Sequence, residues 1–170
     1  MPRVPFDSLP DSARIWTFGV QRDLAQEEEA RLLAAVDGFL DQWTTHGTPL
    51  RGGRSWRYGR MLVVGVDEAA APPSGCSIDA LVHALQDLES TIDTRIVDNS
   101  MVWYRDPDGV RCDTRQAFRK RAQDGSVTPD TVVFDTTVIR LGELRQGHWE
   151  APAGDRWHGR AFFRSSHGQA

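Results

Sequence analysis

Met61-Leu62-Val63-Val64-Gly65-Val66, then Asp67-Glu68, then Ser74-Gly75-Cys76-Ser77-Ile78-Asp79 after a proline-bearing loop: the fold turns on this stretch. Six apolar residues without polar alternation predict a central strand covered on both faces. Ile78, Leu81, Val82, Leu85 and Leu88 follow at helical spacing and predict a helix over about 77–91. A buried strand thus passes through a short loop into a helix, with a thiol at the helix start. Free backbone N–H groups and the positive helix end favour a thiolate or a bound anion there.

Working outward, Pro2, Pro5 and Pro10 mark residues 1–13 as an extended lead-in whose Phe6 and Leu9 tuck onto the core. Arg14 to Val20 is rich in β-formers and predicts a first strand. Asp23 and Gln26 have capping-box spacing at the start of a helix. Leu32, Leu33, Val36, Phe39, Leu40 and Trp43 form its apolar face, and His46-Gly47 closes it. Thr48 to Gly59 reads as a loop or hairpin. Ile96 to Tyr104 predicts a strand, and Asp106-Pro107-Asp108-Gly109 a tight turn. Asp113 and Gln116 repeat the capping-box spacing ahead of Ala117, Phe118 and Ala122, with Gly125 as the stop, and Thr131 to Phe134 is a further strand.

The expected fold is α+β: a mixed sheet of about four strands with two long helices on one face, close to a ferredoxin-like plan, and a small C-terminal module of helix and strand. A doubly wound α/β sheet is the alternative. The boundaries expected are a core domain over 1–106, the module over 107–163 and a loose tail over 164–170.

A chain of 170 residues with a net charge of −4 is not built mainly to hold nucleic acid. Nineteen of its 20 cations are arginine, Lys120 being the exception, and no glycine-rich loop surrounds Lys120, so a Walker-type ATPase is excluded. Cys76 and Cys112 have no zinc-ligand spacing. Two cysteines without a leader sequence, and no apolar stretch of membrane-spanning length, predict a soluble cytoplasmic protein with no cofactor and no metal.

Pro5-Phe6, Leu9-Pro10, Trp43-Thr44-Thr45-His46-Gly47, Val66-Asp67-Glu68, Ser74 to Asp79 and Asp130 to Phe134 together resemble a family of small, uncharacterised bacterial proteins. The resemblance spans the chain and implies no reaction. Phe118, Gly125, Val127, Asp130-Thr131, Val133-Phe134 and Trp149-Glu150-Ala151-Pro152, within residues 110–152, resemble the GYF-2 type domain. That resemblance implies protein contacts through the C-terminal module.

Three candidate sites emerge. The first places Cys76 as nucleophile, off the core face of its helix, with Ser74, Gly75, Ser77, Asp79 and Glu68 around a ligand. His83 lies seven positions on, roughly 10 Å along the axis, too far to serve as its base. The base has to arrive from elsewhere in the chain, and the expected one is His46, oriented by Asp67 or Glu68. Weighed against this site is a small cysteine packed under the loop. The Asp67-Glu68 pair as metal ligand or acid and base competes with a plain polar strand exit, since neighbours on a strand face opposite ways. In the third, Arg51, Arg54, Arg57 and Arg60 with Trp56 grip phosphate or nucleic acid, against a solvated arginine-rich hairpin. No complete catalytic constellation assembles, so the leading expectation is a protein-binding or adaptor protein. The thiol enzyme is the alternative and nucleic acid the third reading.

Overall fold

The computed structural model describes residues 3–164. The tail expected from residue 164 onward lies, from 165, outside the described residues, as does Pro2 of the lead-in. The chain forms two compact units, one of residues up to Asp98 plus Ile139–Glu143, the other of Asn99–Val138 and the residues from Leu144 onward.

In the first unit β1 (Arg14–Gly19) leads into α1 (Gln26–Asp41). A two-residue hairpin of β2 (Thr44–Thr45) and β3 (Thr48–Pro49) follows, then β4 (Gly52–Arg57), β5 (Met61–Val66) and α2 (Gly75–Ile92). β5 lies between β1 and β4, antiparallel to both. All six of its residues are buried, as a continuous apolar run requires. Since β1 and β4 both oppose β5, they are parallel to each other with α1 in the crossover and one strand between them: the split βαβ arrangement.

The expected mixed sheet of about four strands is therefore, in this unit, three antiparallel strands with single bridges at each edge. Arg3 bridges Gly52 in parallel beside β4, and Arg140 bridges Arg14 in antiparallel beside β1. The second bridge is fixed by two backbone bonds, Ile15 N–H to the Ile139 carbonyl and Leu141 N–H to the Ala13 carbonyl, both 2.9 Å. Leu32, Val36 and Leu40 of α1 and Leu81, Leu85, Leu88 and Ile92 of α2 pack with Phe18, Val20, Leu62, Val64 and Val66 in one core. Phe6 and Leu9 are buried as expected and sit over Gly65, where a Cβ would lie 2.9 Å from Leu9 Cδ1.

Two helix ends differ from the sequence reading. α1 starts one residue after Ala25, not at Asp23: Glu28 accepts the Ala25 N–H at 2.8 Å and pairs with Arg22, which anchors the first turn there. It ends at Asp41, so His46-Gly47 does not close it. Both residues have positive φ (50° and 79°) and form the turn of the β2–β3 hairpin, the positive-φ pair that suits strand twist.

The second unit is a four-stranded antiparallel sheet in the order β7-β6-β8-β9, with β6 (Met101–Asp106), β7 (Gly109–Thr114), β8 (Val132–Phe134) and β9 (Glu150–Pro152). Helix α3 (Arg115–Asp124) follows β7. Asp113 does not cap it. Thr114 does, its hydroxyl accepting the Ala117 N–H at 3.1 Å, while Asp113 accepts from Tyr104 and Arg121. Gly125, at φ 83°, ends it as expected.

The break expected after Asp106 falls instead after Asp98, because Asp106 is the tip of the β6–β7 hairpin, paired with Gly109, and a division there would separate six paired residues from their partners. Val102, Tyr104, Phe118, Val127, Val133 and Ala153 form this unit's core, with Phe162 and Phe163 against it. Trp149 is buried on Phe134, ring centroids 5.2 Å apart.

Candidate functional site

The start of α2 is built by its serines. Ser74 Oγ accepts the Ser77 N–H at 3.1 Å, and Ser77 Oγ accepts the Ser74 N–H at 2.7 Å, a reciprocal cap. Ser77 is itself buried, and its carbonyl accepts the Trp43 indole N–H at 2.8 Å. The hydroxyls expected to surround a ligand thus hold the helix terminus. Gly75, Cys76 and Asp79 are exposed. His46 is exposed at the hairpin turn, and no hydrogen bond among the described residues joins it to Cys76.

Asp67 and Glu68 turn to different arginines. Asp67 meets Arg51 at 3.6 Å and accepts the Ala69 N–H at 3.0 Å, which locks the loop after β5. Glu68 pairs with Arg140. Among the described residues no three His, Cys, Asp or Glu side chains are grouped to hold a metal ion.

The arginines of 51–60 are likewise engaged. Arg54 forms a two-point bond to Asp37 at 2.8 and 2.9 Å, which holds the Asp37 carboxyl below its usual range. Arg57 donates to Ser55 Oγ at 3.0 Å. Arg60 is buried and donates to the Val20 carbonyl at 2.7 Å and to Asp23 at 3.3 Å. Trp56 packs against the first unit's core. Alternation along β4 places Arg54 and Arg57 on opposite faces, where they find different partners.

The second unit holds a constellation that the sequence reading missed. An open recess of about 700 Å³ is lined by Arg156, Trp157, Arg160, Phe163 and Arg164, with Pro129 and Gly154 on its wall. The segment enters through two close approaches. Gly154 N–H donates to the Pro129 carbonyl at 2.8 Å, and a Cβ on Gly159 would lie 2.8 Å from the Gly154 carbonyl oxygen. Gly159–Phe163 then forms a π-helical turn. Arg156 is anchored by its Nε on Asp135 Oδ2 at 2.8 Å, and Asp135 is 1% exposed. Arg160 and Arg164 are exposed, and among the described residues neither has an ion pair or a side-chain hydrogen bond.

The rings behind the recess are tightly arranged. His158 stacks on Trp157 at 4.0 Å, and the Arg115 guanidinium lies 5.1 Å from the Trp157 ring centre. Arg119 sits 5.3 Å from the Phe162 ring centre. His158 is 1% exposed, its Nδ1 has no hydrogen-bond partner, and burial pushes its pKa down to about 4. Nearby, burial and then the 2.6 Å bond to Asp113 push Tyr104 up to about 12. The available signal was the recurrence of Arg156, Arg160 and Arg164 every fourth residue, which the terminal aromatics obscured.

Compared with protein-family models, with curated proteins and with solved structures, the chain matches none.

Proposed function

We propose that the protein is a binding or adaptor protein whose second unit docks a protein partner. The observation that carries this reading is the open recess lined by Arg156, Trp157, Arg160, Phe163 and Arg164, with two exposed guanidiniums that have no ion pair among the described residues. Arginines beside aromatics are the side chains that dominate binding hot spots, and desolvating a free guanidinium against a partner carboxylate adds directional bonds. The resemblance of residues 110–152 to GYF-2 type domains supports the same assignment.

Point variants test it better than truncation, because cutting after Asp106 breaks the β6–β7 hairpin. Affinity capture from the native host with the intact chain is expected to retain a defined partner that the R160E/R164E chain loses. Identical captures from both chains would refute the reading.

A second reading, a thiol-centred enzyme with Cys76 as nucleophile and His46 as base, is favoured by the exposure of Cys76 in the first turn of an 18-residue helix. Native-state alkylation of Cys76 no faster than in the denatured chain would count against it.

A further inference from the structure

We infer that the recess of the second unit takes a carboxylate-rich segment of its partner. This rests on the binding-module reading and specifies the ligand. Charge is the first support. The second unit carries ten Arg or Lys against eight Asp or Glu, a net +2, while the rest of the chain carries ten against sixteen, a net −6. In the recess itself Arg156 is paired with Asp135, while Arg160 and Arg164 face one acid, Asp155.

Clustering is the second support. Arg156 and Arg164, both extended in backbone, flank the π-helical turn that carries Arg160, and all three line the one recess. Anchoring is the third. The Nε bond of Arg156 to buried Asp135 fixes one cation of the row, so part of the ordering cost is met before the ligand arrives.

The rings argue against the other polyanion, single-stranded nucleic acid. Sequence-tolerant binding of that kind needs open aromatic faces on which bases stack. Trp157 already carries the His158 ring and the Arg115 guanidinium, and Phe162 carries Arg119. Beside Phe163 the recess offers the exposed guanidiniums of Arg160 and Arg164, which match the planar carboxylate.

The test is fluorescence anisotropy with the full chain at low salt and three labelled probes: a Ser-Glu octapeptide, its Ser-Gln counterpart, and an oligothymidine of equal charge. The acidic peptide is expected to bind at least about tenfold tighter than the other two, and to weaken at least about tenfold in the R160E/R164E chain and with added salt. Arg160→Gln with Arg164→Gln is expected to weaken binding without reversing charge, and unchanged melting checks that both variants fold. Equal binding of the Ser-Glu and Ser-Gln peptides, or affinity unchanged in the variants, would overturn the proposal. Equal binding of oligothymidine would overturn the proposal and reassign the site to nucleic acid. A protein partner lost from R160E/R164E without any acidic-peptide binding would overturn the ligand assignment while leaving the adaptor reading standing.

Discussion

Acidification should loosen the second unit through one residue, His158. Its ring is 1% exposed, lies against Trp157 and is 6.4 Å from Phe162, so protonation would place a cation among rings with Arg156 and Arg115 nearby. Only Asp135 offsets this, and that carboxylate is already bonded to Arg156 and Thr137. The folded-state pKa of about 4 against an ordinary 6.5 gives the sign. The unfolded chain binds the proton first as pH falls, so stability is complete above pH 6.5 and is lost between 6.5 and 4. The difference of pKa values corresponds to about 3 kcal/mol in full, of which about 2.5 kcal/mol is lost by pH 4.5.

Carboxylates held low, such as Glu28 at about 2, begin to lose their contribution only below about pH 4.5, so the two effects occupy separate windows. The assay is urea unfolding followed by tryptophan fluorescence and near-UV dichroism at pH 7.5, 6.5, 5.5 and 4.5. It is run on the natural chain and on His158→Phe, which keeps a ring in place without a titrating nitrogen. The natural chain should lose stability across the series while the variant stays nearly level. Parallel slopes for the two proteins would show that His158 is not the titrating group and would refute the reasoning.

Arg156→Ala should destabilise the second unit by about 3 kcal/mol, since it leaves buried Asp135 without its cation, whereas Arg160→Ala should change stability by no more than about 0.5 kcal/mol; equal thermal shifts would contradict this. Gly53→Ala should cost about 1–3 kcal/mol, because its Cβ would lie 2.5 Å from the Val4 carbonyl oxygen. Limited proteolysis should then cut before residue 9 faster than in the natural chain, and an unchanged cutting rate would contradict the packing. Iodoacetamide should modify exposed Cys76 at least about tenfold faster than half-buried Cys112 in the native protein, read by peptide mass spectrometry.

The elements readable in sequence were those whose signal is local. The apolar run 61–66 declared a buried strand, and Ile78 to Leu88 declared a helical face, because periodicity acts within a few residues. Failures came where a nearby competitor won. Glu28, held by Arg22, displaced Asp23 at the start of α1, and Thr114 displaced Asp113, which a side chain from β6 had engaged. His46-Gly47 was the right turn chemistry assigned to the wrong element, since a helix stop and a hairpin both use positive φ.

Among the candidate sites, the segment of Arg51 to Arg60 promised free cations because one-dimensional reading shows charges and not their partners. Asp37 lies 17 positions from Arg54 and is invisible to any local window. The 156–164 row was hidden for the converse reason. Its cations stand out only once Asp135 and the packed rings show which arginine is spent and which two are not.

Residues 139–143 have a consequence for synthesis on the ribosome. The first unit contains everything up to Asp98, yet the backbone bonds at Ala13 and Ile15 beside β1 wait for Ile139 and Leu141. Forty intervening residues of the other unit, 99–138, emerge before that edge can close. A nascent chain released or stalled in that interval therefore exposes one unpaired side of β1, the kind of edge that invites association with a neighbouring chain. Completion of the earlier-made unit is thereby timed by the arrival of the later one.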